Sequence, residues 1–378
     1  MVLATVGLRT AQSIAAEIAD ITRSDSSGSP VRHAGINPRV EQSGNVKKHG
    51  KLKKGGPRCP ETFCTTSERE DSMMPPALAR TKAMEQTILC AGRQSTVAEL
   101  SSSTIGFDQP VSMTALINAA ARAQECERPD PLVRDVHAKS LAGDKGRELL
   151  ERFGKFFTTI EAVRAKFFDD SICKAVSEGI RQIVMLGAGL DARPYRLSCL
   201  GRRILWVDVD YEPVLLYKGR VLQNAKPLCE VVNVGKDIRD ADLAQVLAEG
   251  GVNLGLSILW VAEGVFQYLK EPEVEDILAR LRASSAPGSE IIFNAQNKAN
   301  LVRTQHNAKM LDLLDELGTP WTFTTESPAD LLDRHGFDPK IVFLGHAQAH
   351  YGRLPWPPSD SPATGFPCEW LATGHVKG

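Results

Sequence analysis

The sequence predicts an α/β fold whose core is a doubly wound, mostly parallel sheet. From Gln182 onward, short apolar runs alternate with longer segments in which apolar residues recur at helical spacing. Most of the runs are apolar throughout rather than at every second position, which is typical of strands buried on both faces. Strands that alternate with helices in this way form parallel sheets covered on both sides. Because ligands of such open sheets bind beyond the carboxyl ends of the strands, the residues after each strand are the first candidates for a functional site.

The chain offers enough strand candidates for a seven-stranded sheet. In chain order they are IVML (183–186), ILWVDV (204–209), EVVNV (230–234), LSILWVA (256–262), EIIFNA (290–295), KIVFLG (340–345) and CEWLATGHV (368–376). The helix candidates among them are Glu212–Asn224, Ala241–Glu249, Glu271–Ser284, the run from Asn300 to Leu317, and Pro328–His335. The last two strands are expected to form a late hairpin joined to the edge of the sheet.

The chain before the sheet divides into two parts. Residues 1–110 predict a largely disordered or weakly ordered extension, because the composition from Ser24 to about Pro75 offers almost no apolar run that could repay ordering entropy. A short helix is expected near Ala77–Ala91, and the basic tract at 47–54 is interpreted as a solvated charge run rather than an import or polyanion-binding signal. Residues 111–378 predict one enzyme domain, with a helical lead-in or lid at 111–180 and the sheet core at 181–378.

Composition narrows the classes of partner. The formal net charge of −1 and the isoelectric point near 6.7 provide no global field that would attract nucleic acid or an anionic membrane. The sequence contains no apolar run of the roughly 18 residues that a membrane-spanning helix requires. Its eight cysteines are scattered without a CxxC pair, which indicates reduced thiols. We therefore expect a cytoplasmic protein that binds neither nucleic acid nor a membrane.

The first strand is followed by a glycine turn that is suited to a nucleotide-bearing ligand. Gly187 and Gly189 allow the backbone to turn sharply and to approach a ligand, and with Ala192 they satisfy the G-x-G-x-x-A spacing of dinucleotide sites. Asp191 stands in the first turn of the next helix, where a carboxylate would repel a pyrophosphate. S-adenosylmethionine carries a positive sulfonium and an ammonium group instead, so the same acid suits it better. A tight turn without any ligand is the remaining interpretation of these glycines.

The second and third strands are each followed by acidic residues. Asp208 and Asp210 lie about twenty residues beyond the first glycine, where a carboxylate binds the ribose of either kind of cofactor. We favour Asp210 because it is nearer to the end of the strand. After the third strand, Asp237 and Ile238 suit an adenine ring, since the carboxylate accepts from the exocyclic amine and the aliphatic side chain packs on the base. An N-cap or turn aspartate is an equally good interpretation of Asp237.

The fourth strand is followed by Glu263, in the segment VAEGVFQYL. A carboxylate placed directly after a continuous apolar strand is costly to bury unless it is paired. We therefore expect Glu263 to face a polar ligand group such as an ammonium.

Taken together, these segments resemble the leucine carboxyl methyltransferase family, in particular its branch similar to the tetracenomycin polyketide O-methyltransferase. The matching segments are VMLGAGLDARPYRL, WVDVDYEPV and VAEGVFQYL, preceded by the helical lead-in ARAQECERPDPLVRDVHAKSLAG (121–143). The resemblance extends from about Val111 to the C-terminus. It implies the Rossmann-like fold of class I methyltransferases, with S-adenosylmethionine as the cofactor and residues 111–378 as the methyltransferase domain.

The resemblance also implies a set of cofactor-binding residues. Arg164 matches the arginine that binds the cofactor carboxylate, although Ala165 follows it where the family often has threonine. The other assignments are the glycine turn, the ribose acid, the adenine-side pair and the acid after the fourth strand: Gly187, Gly189, Asp210, Asp237, Ile238 and Glu263.

The resemblance implies transfer of a methyl group to a hydroxyl or carboxylate of a small, polyketide-like acceptor. A protein C-terminal carboxyl methyltransferase is the alternative within this class, and an NAD(P)-dependent oxidoreductase or an inactive nucleotide-binding module are the alternatives outside it. Spacing does not distinguish a catalytic base among His306, His346, His350 and Tyr268. His346 and His350 have metal-ligand spacing only within a helix and lack a third ligand, so we expect no metal site.

Overall fold

A computed structural model describes residues 110–154, 156–239 and 242–377. The predicted extension up to residue 109, with its basic tract and its short helix, lies outside the described residues. Within the described ranges, no helix is long and apolar enough to cross a membrane.

Seven strands form one sheet in the order β3-β2-β1-β4-β5-β7-β6. The strands are β1 (Gln182–Leu186), β2 (Leu205–Asp210), β3 (Glu230–Gly235), β4 (Ile258–Ala262), β5 (Glu290–Gln296), β6 (Phe337–Phe343) and β7 (Glu369–Val376). The pairs among β1 to β5 are all parallel, whereas β7 is antiparallel to both of its neighbours. The prediction of a seven-stranded, mostly parallel sheet is confirmed.

The late hairpin of β6 and β7 joins the edge of the parallel part of the sheet, as expected, and it does so through β7. β7 inserts between β5 and β6, so the final strand of the chain is internal and β6 forms the edge. β6 also begins at Phe337 rather than Lys340, and it includes Pro339. A proline is tolerated there because an edge strand has no second neighbour that needs its missing N–H.

Nine α-helices accompany the sheet within the described ranges. They are α1 (Pro110–Cys126), α2 (Ala138–Phe153), α3 (Phe156–Ser177), α4 (Arg193–Arg196), α5 (Glu212–Val221), α6 (Leu243–Glu249), α7 (Glu271–Ala283), α8 (Ala308–Glu316) and α9 (Pro328–Arg334). In the predicted helical run from Asn300, the α-helix begins only at Ala308. The Asn307 side chain holds the preceding turn, since it donates to the carbonyls of Asn300 (3.1 Å) and Val302 (3.0 Å).

The central strands are buried on both faces, as their continuous apolar character predicts. Val184 and Trp260 pack into the core on one face of the sheet. Ile183 and Leu259, the preceding residues in the same strands, pack into the core on the other face. A third apolar cluster joins α1 and α2 to the turn after β1 and to α8. The helical lead-in is therefore packed against the end of the sheet where ligands of this fold bind.

Two of the cysteines contradict the prediction of reduced thiols throughout. Cys173 and Cys199 form a disulfide, with their Cα atoms 5.5 Å apart. The sequence hides this pair because the residues lie 26 positions apart and meet only when the end of α3 packs beside the segment after α4. Cys126, Cys229 and Cys368 are free.

Candidate active site

A cavity of about 150 Å³ lies beyond the carboxyl ends of β1, β2, β3 and β4. All seven residues that the sequence predicts as cofactor ligands line it: Arg164, Gly187, Gly189, Asp210, Asp237, Ile238 and Glu263. Parallel strands carry their carboxyl ends to the same edge of the sheet, so residues far apart in the chain meet there. Helix α1 closes one side of the cavity with Thr114, Ala115, Asn118 and Arg122.

The glycine turn needs its glycines for two separate reasons. Gly187 and Gly189 have φ angles of 60° and 50°, in the left-handed region that favours glycine. A Cβ atom on Gly187 would also lie 2.6 Å from Cγ2 of Val265. On Gly189 it would lie 3.3 Å from the Cβ of Ala115. The turn therefore leaves no room for side chains between β1 and the segments packed above it.

Asp210 is fastened to the glycine turn. Its Oδ2 accepts a hydrogen bond from the backbone N–H of Gly189 (2.6 Å), and its Oδ1 accepts one from that of Tyr211 (2.6 Å). Burial raises the pKa of Asp210, and these two hydrogen bonds oppose the rise only in part. The carboxylate thus has a fixed orientation at the wall of the cavity.

Asp208, the other acid of β2, serves the interior of the protein instead. It is fully buried, accepts from Trp206 Nε1 (2.9 Å) and pairs with Lys218 Nζ (2.6 Å), and it does not line the cavity. Its neighbours explain why the strand carries two acids: one pairs with a buried lysine and the other faces the cavity.

At the end of β3, Asp237 and Ile238 both face the cavity. Asp237 accepts from the Tyr211 hydroxyl (2.9 Å) and from Nη2 of Arg239 (2.6 Å). Although burial acts in the opposite direction, these donors lower the pKa of the Asp237 carboxyl. Asp237 is therefore an ionised acceptor, and the side chain of Ile238 lies beside it against the core.

Glu263 forms ion pairs with two arginines at the wall of the cavity. Its Oε1 lies 3.2 Å from Nε of Arg164, and its Oε2 lies 2.7 Å from Nη2 of Arg193. Arg164 also contacts Glu161 and Glu369, and its guanidinium lies over the ring of Phe157 at 6.0 Å. The expected binders of an ammonium and of a carboxylate thus form an ion pair with each other.

Asp191 differs in one respect from its sequence-based interpretation. It lines the cavity but pairs with the Arg193 guanidinium and accepts from the Arg193 backbone N–H (2.6 Å). Burial acts to raise its pKa, but Arg193 and Arg122 outweigh that effect and lower it to about 2. Because its charge is compensated, Asp191 repels a phosphate less strongly than the sequence alone suggests.

Sequence reasoning missed most members of this ion network, among them Arg193, Glu161 and Arg122. Arg193 follows Asp191 in the turn, Glu161 lies one helical turn before Arg164, and Arg122 comes from α1, where it contacts Glu161 at 3.1 Å. Burial is the main cause that raises the pKa of Glu161, and nearby Glu263 adds to it. The signal in the sequence was that charged residues lie on largely apolar helix segments. This pattern does not identify the partners of those residues, because the partners are set by tertiary contacts.

Among the four candidate bases, only Tyr268 lines the cavity. Burial raises its pKa, so its hydroxyl is protonated at neutral pH and is unsuited to remove a proton. His350 uses both ring nitrogens in the structure, because Nε2 lies 2.5 Å from the carbonyl of Trp356 and Nδ1 accepts from the Gly352 N–H (3.1 Å). His306 and His346 lie outside the cavity lining. In the described ranges, no group of three or more potential ligands is arranged to hold a metal ion.

Two family models match the chain. The leucine carboxyl methyltransferase model matches residues 115–282, the part that carries the cavity. The model of the transposase IS116/IS110/IS902 family matches residues 1–78, outside the described residues. The chain is thus similar to two unrelated families in two separate regions.

Curated relatives and solved structures are similar to a large part of the chain. A relative from Streptomyces coelicolor, named "Putative S-adenosyl-L-methionine-dependent methyltransferase SCO6443", is 31% identical over 64% of this chain and 91% of its own length. A Mycobacterium tuberculosis relative with the same descriptive name is 33% identical over 66% of this chain and 87% of its own.

Two crystal structures share the fold. A Thermobifida fusca protein titled as a "putative methyltransferase" has a TM-score of 0.50 at 19% identity, covering 74% of this chain and all of that one (100%). A DUF574 family protein from Streptomyces avermitilis has a TM-score of 0.51 at 15% identity, covering 70% and 97%. Because the curated relatives match over nearly their whole length, the chain belongs to the leucine carboxyl methyltransferase family, and it is a methyltransferase that uses S-adenosylmethionine.

Proposed function

We propose that this protein transfers the methyl group of S-adenosylmethionine to a hydroxyl or carboxylate of a small, polyketide-like acceptor. A protein C-terminal carboxylate is the alternative acceptor. The observation that carries the proposal is the meeting of all seven predicted cofactor ligands in one cavity at the ends of β1 to β4. Four consecutive strand ends contribute to it, which supports a cofactor as long as a nucleoside joined to an amino acid.

We assign one part of the cofactor to each strand end. The backbone at Gly187 and Gly189 is open to close approach, and Asp210 is oriented to accept from the ribose hydroxyls. Asp237 is an ionised acceptor suited to the adenine amine, with Ile238 packing on the base. The methionine end then falls beside Glu263 and Arg164, near α1 and α3.

The amino-acid tail of the cofactor can replace a pair of existing contacts. Nε of Arg164 and Oε1 of Glu263 lie 3.2 Å apart, and both side chains are nearly excluded from water. When the ammonium binds Glu263 and the carboxylate binds Arg164, each buried charge keeps a partner of opposite sign. The exchange leaves no buried charge unpaired, which supports these two residues as the binders of the tail.

Methyl transfer requires alignment more than covalent help from the protein. The acceptor oxygen attacks the methyl carbon in line with the carbon–sulfur bond, whose electron pair remains on sulfur. The protein contributes by holding the two reactants in this geometry and by excluding water. The absence of a free base among the side chains that line the described cavity fits this mode of catalysis.

Calorimetry with three ligands tests the proposal. We expect S-adenosylmethionine and S-adenosylhomocysteine to bind and NAD to give no heat of binding. Binding of NAD alone would contradict the assignment of the cavity. A screen of methyl acceptors that includes phenols, acids and carboxyl-terminal peptides then reports which acceptor class is used.

A further inference from the structure

A buried carboxamide at the end of β5 lies behind the proposed binders of the methionine tail. Asn294 is fully buried and does not line the cavity. Its Oδ1 accepts a hydrogen bond from the backbone N–H of Gly264 (2.7 Å), and its Nδ2 donates to Oε1 of Glu369 (2.8 Å). One of these contacts lies next to Glu263 in the chain, and the other leads to Arg164.

The sheet places Asn294 level with Glu263. The parallel pairing of β4 with β5 ends at Ala262 and Phe293, so Glu263 and Asn294 are the next residues of the two segments. At that point the Asn294 side chain replaces the backbone ladder, because it accepts from the N–H of Gly264. This N–H belongs to the same peptide group as the carbonyl of Glu263. The hydrogen bond therefore fixes the backbone from which the Glu263 side chain extends toward the arginines.

The second contact of Asn294 leads to Arg164. β5 and β7 pair antiparallel with Gln296 opposite Glu369. Since side chains two residues apart in a strand share a face, Asn294 lies on the same face of the sheet as Glu369. Oε1 of Glu369 accepts both from Asn294 and from Nη1 of Arg164 (3.2 Å). One carboxylate oxygen thus joins the carboxamide to the arginine that we assign to the cofactor carboxylate.

A carboxamide suits both neighbours at once. The Gly264 N–H needs an acceptor and the Glu369 carboxylate needs a donor, and an asparagine side chain offers one of each. An aspartate in the same place would set two carboxylates side by side. An aliphatic side chain would leave a buried N–H without an acceptor and take a donor from a buried carboxylate.

We propose that Asn294 is a positioning residue for cofactor binding, which holds Glu263 and Arg164 in the relative orientation that receives the ammonium and the carboxylate of S-adenosylmethionine. It acts through Gly264 on one side and through Glu369 on the other. This inference rests on the proposed function, in particular on the roles of Glu263 and Arg164. It assigns part of the affinity for the cofactor to contacts between β5 and β7, outside the cavity.

Replacing the carboxamide by a carboxylate tests the inference. Asn294→Asp keeps the size of the side chain but turns the donor toward Glu369 into an acceptor, so that two carboxylates repel each other and the bond with Gly264 is disturbed. We expect the dissociation constant for S-adenosylhomocysteine, measured by calorimetry, to rise about tenfold, which corresponds to about 1.4 kcal/mol and lies within the cost of an unpaired buried group. If this variant does not fold, Asn294→Ala, which adds no charge, should weaken binding in the same direction. An unchanged dissociation constant overturns the inference.

A second substitution should rescue the first. In Asn294→Asp combined with Glu369→Gln, the amide introduced at position 369 can donate to the carboxylate introduced at position 294. Donor and acceptor have then exchanged places, and the total charge is that of the unmodified protein. We expect the double variant to recover most of the lost affinity, which double-mutant analysis measures as a coupling between the two sites. A double variant that binds as weakly as Asn294→Asp overturns the inference.

Asn297→Asp separates positioning from the general cost of a buried carboxylate. Asn297 is also buried and bonded on both sides, since its Oδ1 accepts from the Cys368 N–H (3.0 Å) and its Nδ2 donates to the carbonyl of Phe366 (2.9 Å), but it has no contact with the ion pairs of Arg164. We expect this control to unfold at lower urea concentration and to keep its affinity for S-adenosylhomocysteine. Equal losses of affinity in Asn297→Asp and Asn294→Asp overturn the inference, whereas failure of the unmodified protein to bind S-adenosylhomocysteine contradicts the proposed function instead.

Discussion

The acidic residues after the strands were predictable one by one, but their partners were not. Sequence spacing places Asp210, Asp237 and Glu263 at strand ends, and the parallel topology brings these ends together. The pairing of Glu263 with Arg164 and Arg193 depends on how α3 and the glycine turn pack against β4. Local sequence patterns carry no information about that packing, so they do not reveal that Glu263 forms ion pairs within the protein.

This pairing predicts how a charge-removing variant behaves. Glu263→Gln keeps the shape of the side chain but removes the proposed partner of the cofactor ammonium. We expect its dissociation constant for S-adenosylmethionine to rise by about tenfold or more, because a charge-assisted hydrogen bond contributes about 1.5–3 kcal/mol. Calorimetry measures the affinity, and thermal unfolding measures the accompanying change in stability.

Glu369→Gln is the matched control for that variant. Glu369 also contacts Arg164, at 3.2 Å, but it does not line the cavity. We expect it to affect stability and to leave cofactor affinity nearly unchanged. Equal loss of affinity in the two variants would show that Glu263 acts only by positioning Arg164.

At the level of elements, the strands were easier to predict than their order. Continuous apolar runs identified the central strands β1, β4 and β5, since burial on both faces leaves a clear pattern. The insertion of β7 between β5 and β6 has no local signature. The apolar pattern of a hairpin is the same whichever of its two strands lies at the edge of the sheet. The helical run predicted from Asn300 failed for a related reason: the bonds of the Asn307 side chain with the backbone hold a turn that apolar spacing does not reveal.

The glycine turn after β1 provides a test at this scale. In Gly187→Ala, the methyl group would meet Cγ2 of Val265 at 2.6 Å and the residue would keep a φ of 60°. We expect the free energy of unfolding to fall by about 1–3 kcal/mol, from the left-handed conformation together with overpacking. Cofactor affinity should fall as well, since the turn forms the wall of the cavity. Urea unfolding and calorimetry measure the two effects.

Two further variants divide the effect into its causes. Gly251→Ala carries a similar φ of 72° but has no atom within 4 Å of the added group, so it reports the conformational cost alone. Adding Val265→Ala to Gly187→Ala removes the blocking methyl group and should restore part of the affinity. If it restores none, steric contact with Val265 is not the reason for the loss.

For the whole molecule, we propose that residues 111–378 form the methyltransferase domain and that residues 1–110 are an extension. The residues that line the cofactor cavity lie between Thr114 and Leu269, and the methyltransferase family model begins at residue 115. The similarity of residues 1–78 to a transposase family supports a separate origin for the beginning of the chain. The cytoplasmic location expected from composition stays a prediction.

Removal of residues 1–109 tests this division. We expect the shortened protein to bind S-adenosylmethionine with an unchanged dissociation constant and to unfold at the same temperature, because the lining of the cavity is intact. Calorimetry and thermal unfolding of the full and shortened chains make the comparison. A large loss of affinity would show that the first part of the chain contributes to the site.

The ion network beside the cavity has a consequence for the whole catalytic cycle. It joins four arginines (Arg122, Arg164, Arg193 and Arg196) to six acids (Asp135, Glu161, Asp169, Asp191, Glu263 and Glu369). Since the six acids outnumber the four arginines, the network has a surplus of negative charge. The sulfur of the cofactor is positive before methyl transfer and neutral after it, so it offsets this surplus only before the reaction. We therefore expect the spent cofactor to dissociate more readily than the fresh one, and the paired calorimetric titrations measure that difference directly. The surroundings that hold the methyl donor would thus also promote its exchange after each turnover.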